Sequence, residues 1–173
     1  MKELILGGVR SGKSRLAEQR AMESGLAVVY VATATPEDDE MRSRIEAHRR
    51  RRPAEWLTVE EPRALARALQ SHAREDRCVL VECLTLWLTN LLGAESPRAL
   101  EVERAALLAA VPGLPGRLIL VSNETGSGVV PMGPVSRVFC DEAGRLHQDL
   151  ARICDRVTLT VAGLALPLKG SSC

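Results

Sequence analysis

The sequence is poor in aromatic residues and has almost no net charge. Its 173 residues include one Tyr, one Phe and two Trp, which leaves little from which to build a base-stacking platform for nucleic acid. Lys and Arg total 23 and Asp and Glu 22, a formal net charge of +1, which argues against a general electrostatic affinity for nucleic acid or anionic membranes. We therefore expect no nucleic-acid partner.

Cysteine pairs of the C-x-x-C kind and long apolar runs are also missing. The five cysteines are odd in number, which favours buried, reduced thiols over a disulfide framework or a zinc knuckle. No apolar run approaches the roughly eighteen residues that a membrane span needs, and no basic, apolar leader precedes the first apolar run. We therefore expect a cytoplasmic protein with no membrane span.

A glycine-rich motif near the start of the chain is the most informative feature that is present. It matches the pattern G-x-x-x-x-G-K-[ST] of a phosphate-binding loop. It follows a short apolar run, Leu4 to Leu6, and precedes a stretch of helical period, Ser14 to Ser24, which is the context that such a loop requires. The predicted nucleotide-binding residues of the loop are Gly7, Gly8, Val9, Arg10, Ser11, Gly12, Lys13 and Ser14.

Each part of such a loop has a chemical role. Its backbone N–H groups meet phosphate oxygens at the positive end of the following helix. Lys13 would neutralise the β and γ phosphates, and the Ser14 hydroxyl would be a ligand for Mg²⁺. Glu82 follows the apolar run Val79 to Val81, as a metal-binding Walker B acid does. Glu124, after Leu118 to Ser122, competes for the same role.

Five short apolar runs recur along the chain, separated by segments of helical period. They are Leu4 to Leu6, Ala27 to Val31, Cys78 to Val81, Leu118 to Val121 and Val157 to Val161. Strands that alternate with helices predict an α/β fold, with a mainly parallel, twisted sheet of five to seven strands and helices on both faces. We expect Val157 to Val161 to close the sheet and Pro62 to start a helix.

The length favours one domain. We expect a single P-loop nucleotide-binding domain over residues 1–170 and a frayed tail over residues 171–173. Ligands bind at the carboxyl ends of the strands in parallel sheets of this kind, so the residues that follow the apolar runs are the candidate site.

The segment from Pro36 to Arg52 is predicted to be a helix. It opens with acidic residues and closes with Arg49 to Arg52, the charge order that a helix dipole favours. Met41, Ile45 and His48 share one face of that helix, so His48 would face the protein body. A histidine on an apolar face is usually a hydrogen-bonded core residue. An inward histidine beside four arginines also suits an enzyme that handles a triphosphate.

An ordered set of short motifs spans the chain and makes it resemble one family. The motifs are Gly7 to Ser14, Tyr30 to Ala34, Asp39 to Met41, Arg44-Ile45 with His48, Arg52-Pro53, Trp56 with Thr58 and Glu60, Glu82 to Thr85, Thr89 to Leu92, Asn123-Glu124 with Gly126 and Gly128, and Asp155. With them the sequence resembles the bifunctional adenosylcobinamide kinase and adenosylcobinamide-phosphate guanylyltransferase family of cobalamin biosynthesis. One departure is His147-Gln148, where the resemblance leads us to expect Asn before Gln.

The resemblance implies a RecA-like P-loop fold, a homotrimer and two reactions. ATP or GTP would phosphorylate adenosylcobinamide. GMP would then pass from GTP, through a guanylyl-histidine at His48, to adenosylcobinamide phosphate, which gives adenosylcobinamide-GDP and pyrophosphate. Further nucleotide contacts are implied at Ala32, Thr33, Ala34, Arg49, Arg50, Arg51, Arg52, Glu60 and Glu82, with Mg²⁺ on Ser14 and Glu82. The alternatives are a P-loop kinase of another small alcohol or nucleotide, and a nucleotide-binding regulatory module.

Overall fold

The computed structural model describes residues 1–35, 39, 42, 46, 50, 52–96 and 98–170. Within these residues the strands are β1 (Lys2–Gly7), β2 (Ala27–Ala32), β3 (Leu57–Glu60), β4 (Arg77–Glu82), β5 (Arg117–Asn123), β6 (Arg156–Val161) and β7 (Leu164–Lys169). The helices are α1 (Lys13–Met22), α2 (Leu65–His72), α3 (Leu84–Leu92), α4 (Ala99–Ala110) and α5 (Pro134–Ile153), and a 3₁₀ turn covers Val111–Gly113.

The seven strands form one sheet in the order β3-β2-β4-β5-β1-β6-β7. Every neighbouring pair from β3 to β6 is parallel, while β7 runs antiparallel to β6. The predicted α/β fold with a mainly parallel sheet is therefore confirmed. The order also places β5 between β1, which leads into the glycine-rich loop, and β4, which ends at Glu82.

The two edges of the sheet differ from the prediction. Strands β3 and β7 are not among the five predicted strands, and the expectation that Val157 to Val161 closes the sheet is wrong. The chain turns at Ala162 and Gly163, which both have positive φ, and returns as β7. Helix α2 begins at Leu65 rather than at Pro62. The Glu61 carboxylate accepts hydrogen bonds from the N–H groups of the two residues before the helix, at 2.9 and 2.8 Å, and so holds them in a turn.

Alternate residues along the strands pack on opposite faces of the sheet, as a pleated strand requires. On one face Leu4, Val81 and Leu120 pack against helices α2 to α5, with Trp87 and Leu146 among the helix residues. On the other face α1 packs with Ala17 and Ala21 on a second cluster of strand residues. The sheet thus has helices on both faces, as predicted.

Among the helices formed by the described residues, none is both long enough and apolar enough to cross a membrane.

The described cysteines are free thiols. Cys78, Cys83 and Cys154 are buried and Cys140 is half-buried, in agreement with the prediction.

Candidate nucleotide-binding site

The glycine-rich loop connects β1, which ends at Gly7, with α1, which begins at Lys13. The chain turns tightly, because the Ser11 N–H donates to the Gly8 carbonyl at 3.2 Å and Gly12 has a φ of 95°. A Cβ atom on Gly7 would lie 2.7 Å from the backbone oxygen of Thr160, closer than side chains approach, so a glycine is required there. The strand, loop and helix that the sequence motif demands are all present.

Lys13 folds back over this loop. Its side chain is 9% exposed, and its Nζ donates a hydrogen bond to the Gly8 carbonyl oxygen at 3.2 Å. The ammonium group is therefore held over the loop, where a phosphate cradled by the loop N–H groups would meet it.

Ser14 and Glu82 meet beside the loop. The Ser14 hydroxyl donates to Glu82 Oε1 at 2.7 Å, and Glu82 Oε2 is buried without a hydrogen-bond partner among the described residues. Burial raises the pKa of Glu82 to about 7, although the Ser14 hydrogen bond and the charges of Lys13 and Arg52 lower it. A buried carboxylate oxygen without a partner and an adjacent hydroxyl are the hard oxygen ligands that Mg²⁺ takes in proteins. The residues present therefore fit that ion.

Glu124, the alternative acid, follows β5, which lies between β1 and β4 in the sheet. Its N–H donates to the Gly7 carbonyl at 3.0 Å. Its Oε1 accepts a hydrogen bond from the Gly126 N–H at 2.7 Å, and its Oε2 lies 3.9 Å from His147 Nδ1. The Ser14 hydroxyl, which would bind Mg²⁺, is thus hydrogen-bonded to Glu82 and not to Glu124. This favours Glu82 as the carboxylate that would bind the metal.

The ends of β2 and β3 bring further predicted residues to the same edge of the sheet. Ala32 and Glu60 are register partners, and both lie at the carboxyl ends of their strands. Thr33 is fully buried, and its hydroxyl donates to the Cys83 carbonyl at 2.7 Å. Ala34 is half-buried. The Thr33 side chain thus holds the ends of β2 and β4 together, and its backbone is engaged as well: its N–H donates to the Glu82 carbonyl at 3.1 Å and its carbonyl accepts from Asn90 Nδ2 at 2.8 Å.

Arg52 is the predicted arginine whose surroundings are best defined. Its guanidinium carbon lies 3.5 Å from the centre of the Tyr30 ring, a cation–π contact. Tyr30 in turn stacks on Trp56, with 6.5 Å between ring centres. The positive charge of Arg52 also lowers the pKa of Glu82 slightly, against the larger effect of burial.

Part of the predicted helix from Pro36 to Arg52 lies outside the described residues. This holds for His48, Arg49 and Arg51, as it does for Met41 and Ile45. Of the residues that are described, Arg50 is helical and exposed, and its guanidinium makes an ion pair with Glu46 at 3.1 Å.

Beside Glu124, the side chains of Thr85, Ser122 and His147 form a chain of polar contacts that the sequence did not predict. His147 is 7% exposed, and its Nε2 lies 2.8 Å from Ser122 Oγ, within hydrogen-bond distance. Ser122 Oγ lies 3.4 Å from Thr85 Oγ1. The sequence held two signals: Ser122, a polar residue that directly continues an apolar strand, and the departure from the family pattern at His147.

The fold and the loop together define a P-loop nucleotide-binding protein with a RecA-like fold. Among solved structures, the RadB recombinase superposes with a TM-score of 0.52 at 18% identity, covering 91% of this chain and 73% of that one. The P4 protein from bacteriophage phi6, solved in complex with ADP, gives a TM-score of 0.51 at 13% identity, covering 95% of this chain and 53% of that one. At these identities the likeness concerns the fold alone.

The family is defined by sequence. Residues 3–168 match the model of the family described as cobinamide kinase / cobinamide phosphate guanyltransferase. The chain is 64% identical over 170 residues to the bifunctional adenosylcobalamin biosynthesis protein CobP of Pseudomonas aeruginosa, covering 98% of both chains. It is 40% identical over 182 residues to the protein CobU of Escherichia coli, which bears the same description, covering 98% of this chain and all of that one. The chain therefore belongs to the cobinamide kinase / cobinamide phosphate guanyltransferase family of enzymes, and the resemblance drawn from its motifs is confirmed.

Proposed function

We propose that this chain catalyses two consecutive reactions. In the first, ATP or GTP phosphorylates adenosylcobinamide. In the second, GMP passes from GTP to adenosylcobinamide phosphate through a guanylyl-histidine at His48, which yields adenosylcobinamide-GDP and pyrophosphate. The observation that carries the proposal is the phosphate loop of a family member, with Lys13 folded over it and the Ser14–Glu82 pair beside it.

In the kinase reaction the loop would hold the triphosphate and Lys13 would offset its charge. Ser14 and Glu82 would hold Mg²⁺, which when bound neutralises charge on the phosphates. Phosphoryl transfer needs positioning and electrostatic stabilisation more than covalent chemistry. The rigid loop geometry and the buried Lys13 are suited to both.

In the transfer reaction the imidazole of His48 would attack the α phosphorus of GTP. A nitrogen–phosphorus bond forms, the bond between the α and β phosphates breaks, and pyrophosphate leaves. Neutral imidazole is a nucleophile without a separate base. The phosphate of the second substrate would then attack the same phosphorus and release the histidine. Arg49 to Arg52 would stabilise the developing charge.

The guanylyl-histidine can be tested by labelling. The protein is incubated with GTP labelled at the α phosphate and Mg²⁺, then denatured, and the label on the chain is measured after acid and after base treatment. Label that is acid-labile and base-stable is expected on the wild type and should be lost in His48→Ala. His72→Ala is the matched control, because His72 lies at the end of α2, away from the strand ends that form the site.

Two results of this experiment would contradict the intermediate. Label that persists in His48→Ala would place it on another residue. If the wild type phosphorylates adenosylcobinamide but never takes up label, the chain is better described as a P-loop kinase without covalent guanylyl transfer.

We also propose that the enzyme works in the cytoplasm as a homotrimer. The loop before α5 and the first turn of that helix expose large apolar side chains, with Val129 97%, Met132 95% and Val135 77% exposed. An exposed apolar patch of this kind is typical of an association surface, and a neighbouring subunit would help to enclose a substrate as large as a corrinoid. Light scattering should give the mass of three 18.8 kDa chains. The mass of one chain would contradict the trimer.

A further inference from the structure

Glu124 follows the strand that separates the two parts of the phosphate site, which are the glycine-rich loop after β1 and Glu82 at the end of β4. Strand β5 lies between β1 and β4, so the residue that follows β5 lies between the loop after β1 and Glu82 at the end of β4. Glu124 is that residue, and its N–H donates to the Gly7 carbonyl at 3.0 Å. The backbone of Glu124 is thereby fixed at the first residue of the phosphate loop.

The Glu124 carboxylate is held in one orientation but is not neutralised. Its side chain is 27% exposed, with the Gly126 N–H bonded to Oε1 and the His147 ring facing Oε2. Burial lowers the pKa of His147 against the opposing effect of Glu124, so the ring is uncharged at neutral pH. Within the described part of the chain, no Lys or Arg forms an ion pair with Glu124.

A carboxylate that is not neutralised repels a bound triphosphate. Beside a phosphate site it can contribute to catalysis by holding a cation or by accepting a proton. The structure favours Glu82 for the cation, because Ser14 is bonded to Glu82 and the second oxygen of Glu82 has no hydrogen-bond partner among the described residues. Proton acceptance is the role left for Glu124.

We propose that Glu124 is the general base of the kinase reaction and that His147 is the positioning residue that orients its carboxylate. The inference rests on the kinase half of the proposed function. The substrate hydroxyl gives its proton to the Glu124 carboxylate as its oxygen forms a bond to the γ phosphorus. The bond from that phosphorus to the β,γ-bridging oxygen breaks, its electron pair leaves with the nucleoside diphosphate, and Glu124 later loses the proton to water.

His147 would act through Glu124, and its own ring is held by polar side chains of β5 and α3. Its Nε2 is held by Ser122 on β5, and Ser122 Oγ lies 3.4 Å from Thr85 Oγ1 at the start of α3. The backbone N–H of Asn123 also donates to Thr85 Oγ1, at 2.8 Å. The polar chain therefore fixes the ring at the end of β5, with its Nδ1 3.9 Å from Glu124 Oε2.

The deciding variant is Glu124→Gln, because the amide oxygen can still accept the Gly126 hydrogen bond while the proton-accepting charge is lost. With nucleotide labelled at the γ phosphate, we expect kcat for adenosylcobinamide phosphorylation to fall about a hundredfold or more, with little change in KM. GMP transfer to adenosylcobinamide phosphate supplied directly should keep its wild-type rate. Glu75→Gln is the matched control and should change neither rate, because Glu75 is exposed in the turn before β4, at the opposite end of the sheet.

The positioning role of His147 has its own test. His147→Ala should lower the kinase kcat about tenfold without raising KM, and His147→Gln, which restores a polar side chain, should recover part of the loss. In a Glu124→Gln background, His147→Ala should have no further effect, because residues that act as a unit are not additive. A full additional loss in that background would overturn the positioning role.

Other outcomes would overturn the role of Glu124. One is an unchanged kinase kcat in Glu124→Gln. Another is an equal loss of rate in both reactions, which would indicate that Glu124 has a structural role. A third is weaker binding of a non-hydrolysable GTP analogue only when Mg²⁺ is present, measured by calorimetry, which would make Glu124 a metal ligand. If the wild-type chain itself failed to phosphorylate adenosylcobinamide, the proposed function would fall and this role with it.

Discussion

Replacing Glu82 by Gln should stabilise the metal-free protein at alkaline pH and have little effect at acidic pH. Burial raises the pKa of this carboxyl from 4.5 to about 7, so the folded protein holds the proton more tightly than the unfolded chain does. The resulting contribution to stability is fully present below the unfolded pKa and is lost as the pH rises through the folded pKa. The variant should keep the hydrogen bond from Ser14, because an amide oxygen also accepts, but it carries no charge that burial would penalise.

The size of the effect follows from the two pKa values. Between about pH 5 and about pH 8, the ionisation of Glu82 should lower the free energy of unfolding of the wild type by about 2.5 kcal/mol. The other titrating groups are shared by the wild type and the variant, so most of their effect cancels in the comparison. Urea unfolding of both proteins in the presence of a chelator, at each pH, measures the difference directly. Glu95→Gln, at an exposed loop position, controls for the loss of one surface charge.

A free-energy difference between the wild type and Glu82→Gln that is the same at both pH values would refute this reasoning, since it would mean that burial does not penalise the charge. Addition of Mg²⁺ gives a second reading. At about pH 8 the ion should stabilise the wild type more than the variant, because a cation favours the ionised carboxylate.

Three further outcomes can be checked with single substitutions. Lys13→Ala should lower the rates of both reactions by about a hundredfold or more, because a preorganised phosphate contact is lost, and near-normal kinase rates would contradict the role of the loop. Trp87→Ala should lower the free energy of unfolding by about 3–5 kcal/mol, measured with urea, because the side chain is fully buried. Gly116→Ala should cost about 1–2 kcal/mol or more, since φ is +69° and the added Cβ would overlap a carbonyl oxygen, whereas Gly113→Ala, with open space around its Cβ, should cost much less.

The strands that could be predicted are those with continuous apolar runs. Strands β1, β2, β4 and β5 lie inside the sheet with helices on both faces, and they consist largely of buried apolar residues. The edge strands carry no such signal. In β3 most side chains are exposed, and β7 is exposed along its whole length and contains Pro167, a residue that sheets tolerate at their edges. The expectation that Val157 to Val161 closes the sheet was therefore wrong because the edge strand β7, which follows it, has no clear pattern of apolar burial.

In the candidate site too, features determined by consecutive residues could be predicted, and features that depend on contacts between distant residues could not. The phosphate loop could be predicted because its determinants are consecutive in sequence. The choice between Glu82 and Glu124 could not, because it depends on which carboxyl the fold brings to the Ser14 hydroxyl. The contact between Ser122 and His147 joins a strand and a helix 25 residues apart, and no local pattern pairs them.

Strand order also governs when this protein can first bind a nucleotide as it is made. The neighbours of β1 in the sheet are β5 and β6, which begin at Arg117 and Arg156. Strand β1 is thus made long before either of its neighbours, and such distant pairings form slowly. A nascent chain that stops before Arg117 would carry the complete glycine-rich motif without the strand that supports it. Nucleotide binding is therefore expected to appear only once β5 and β6 have been made and have paired with β1, so that it reports the assembly of the central sheet.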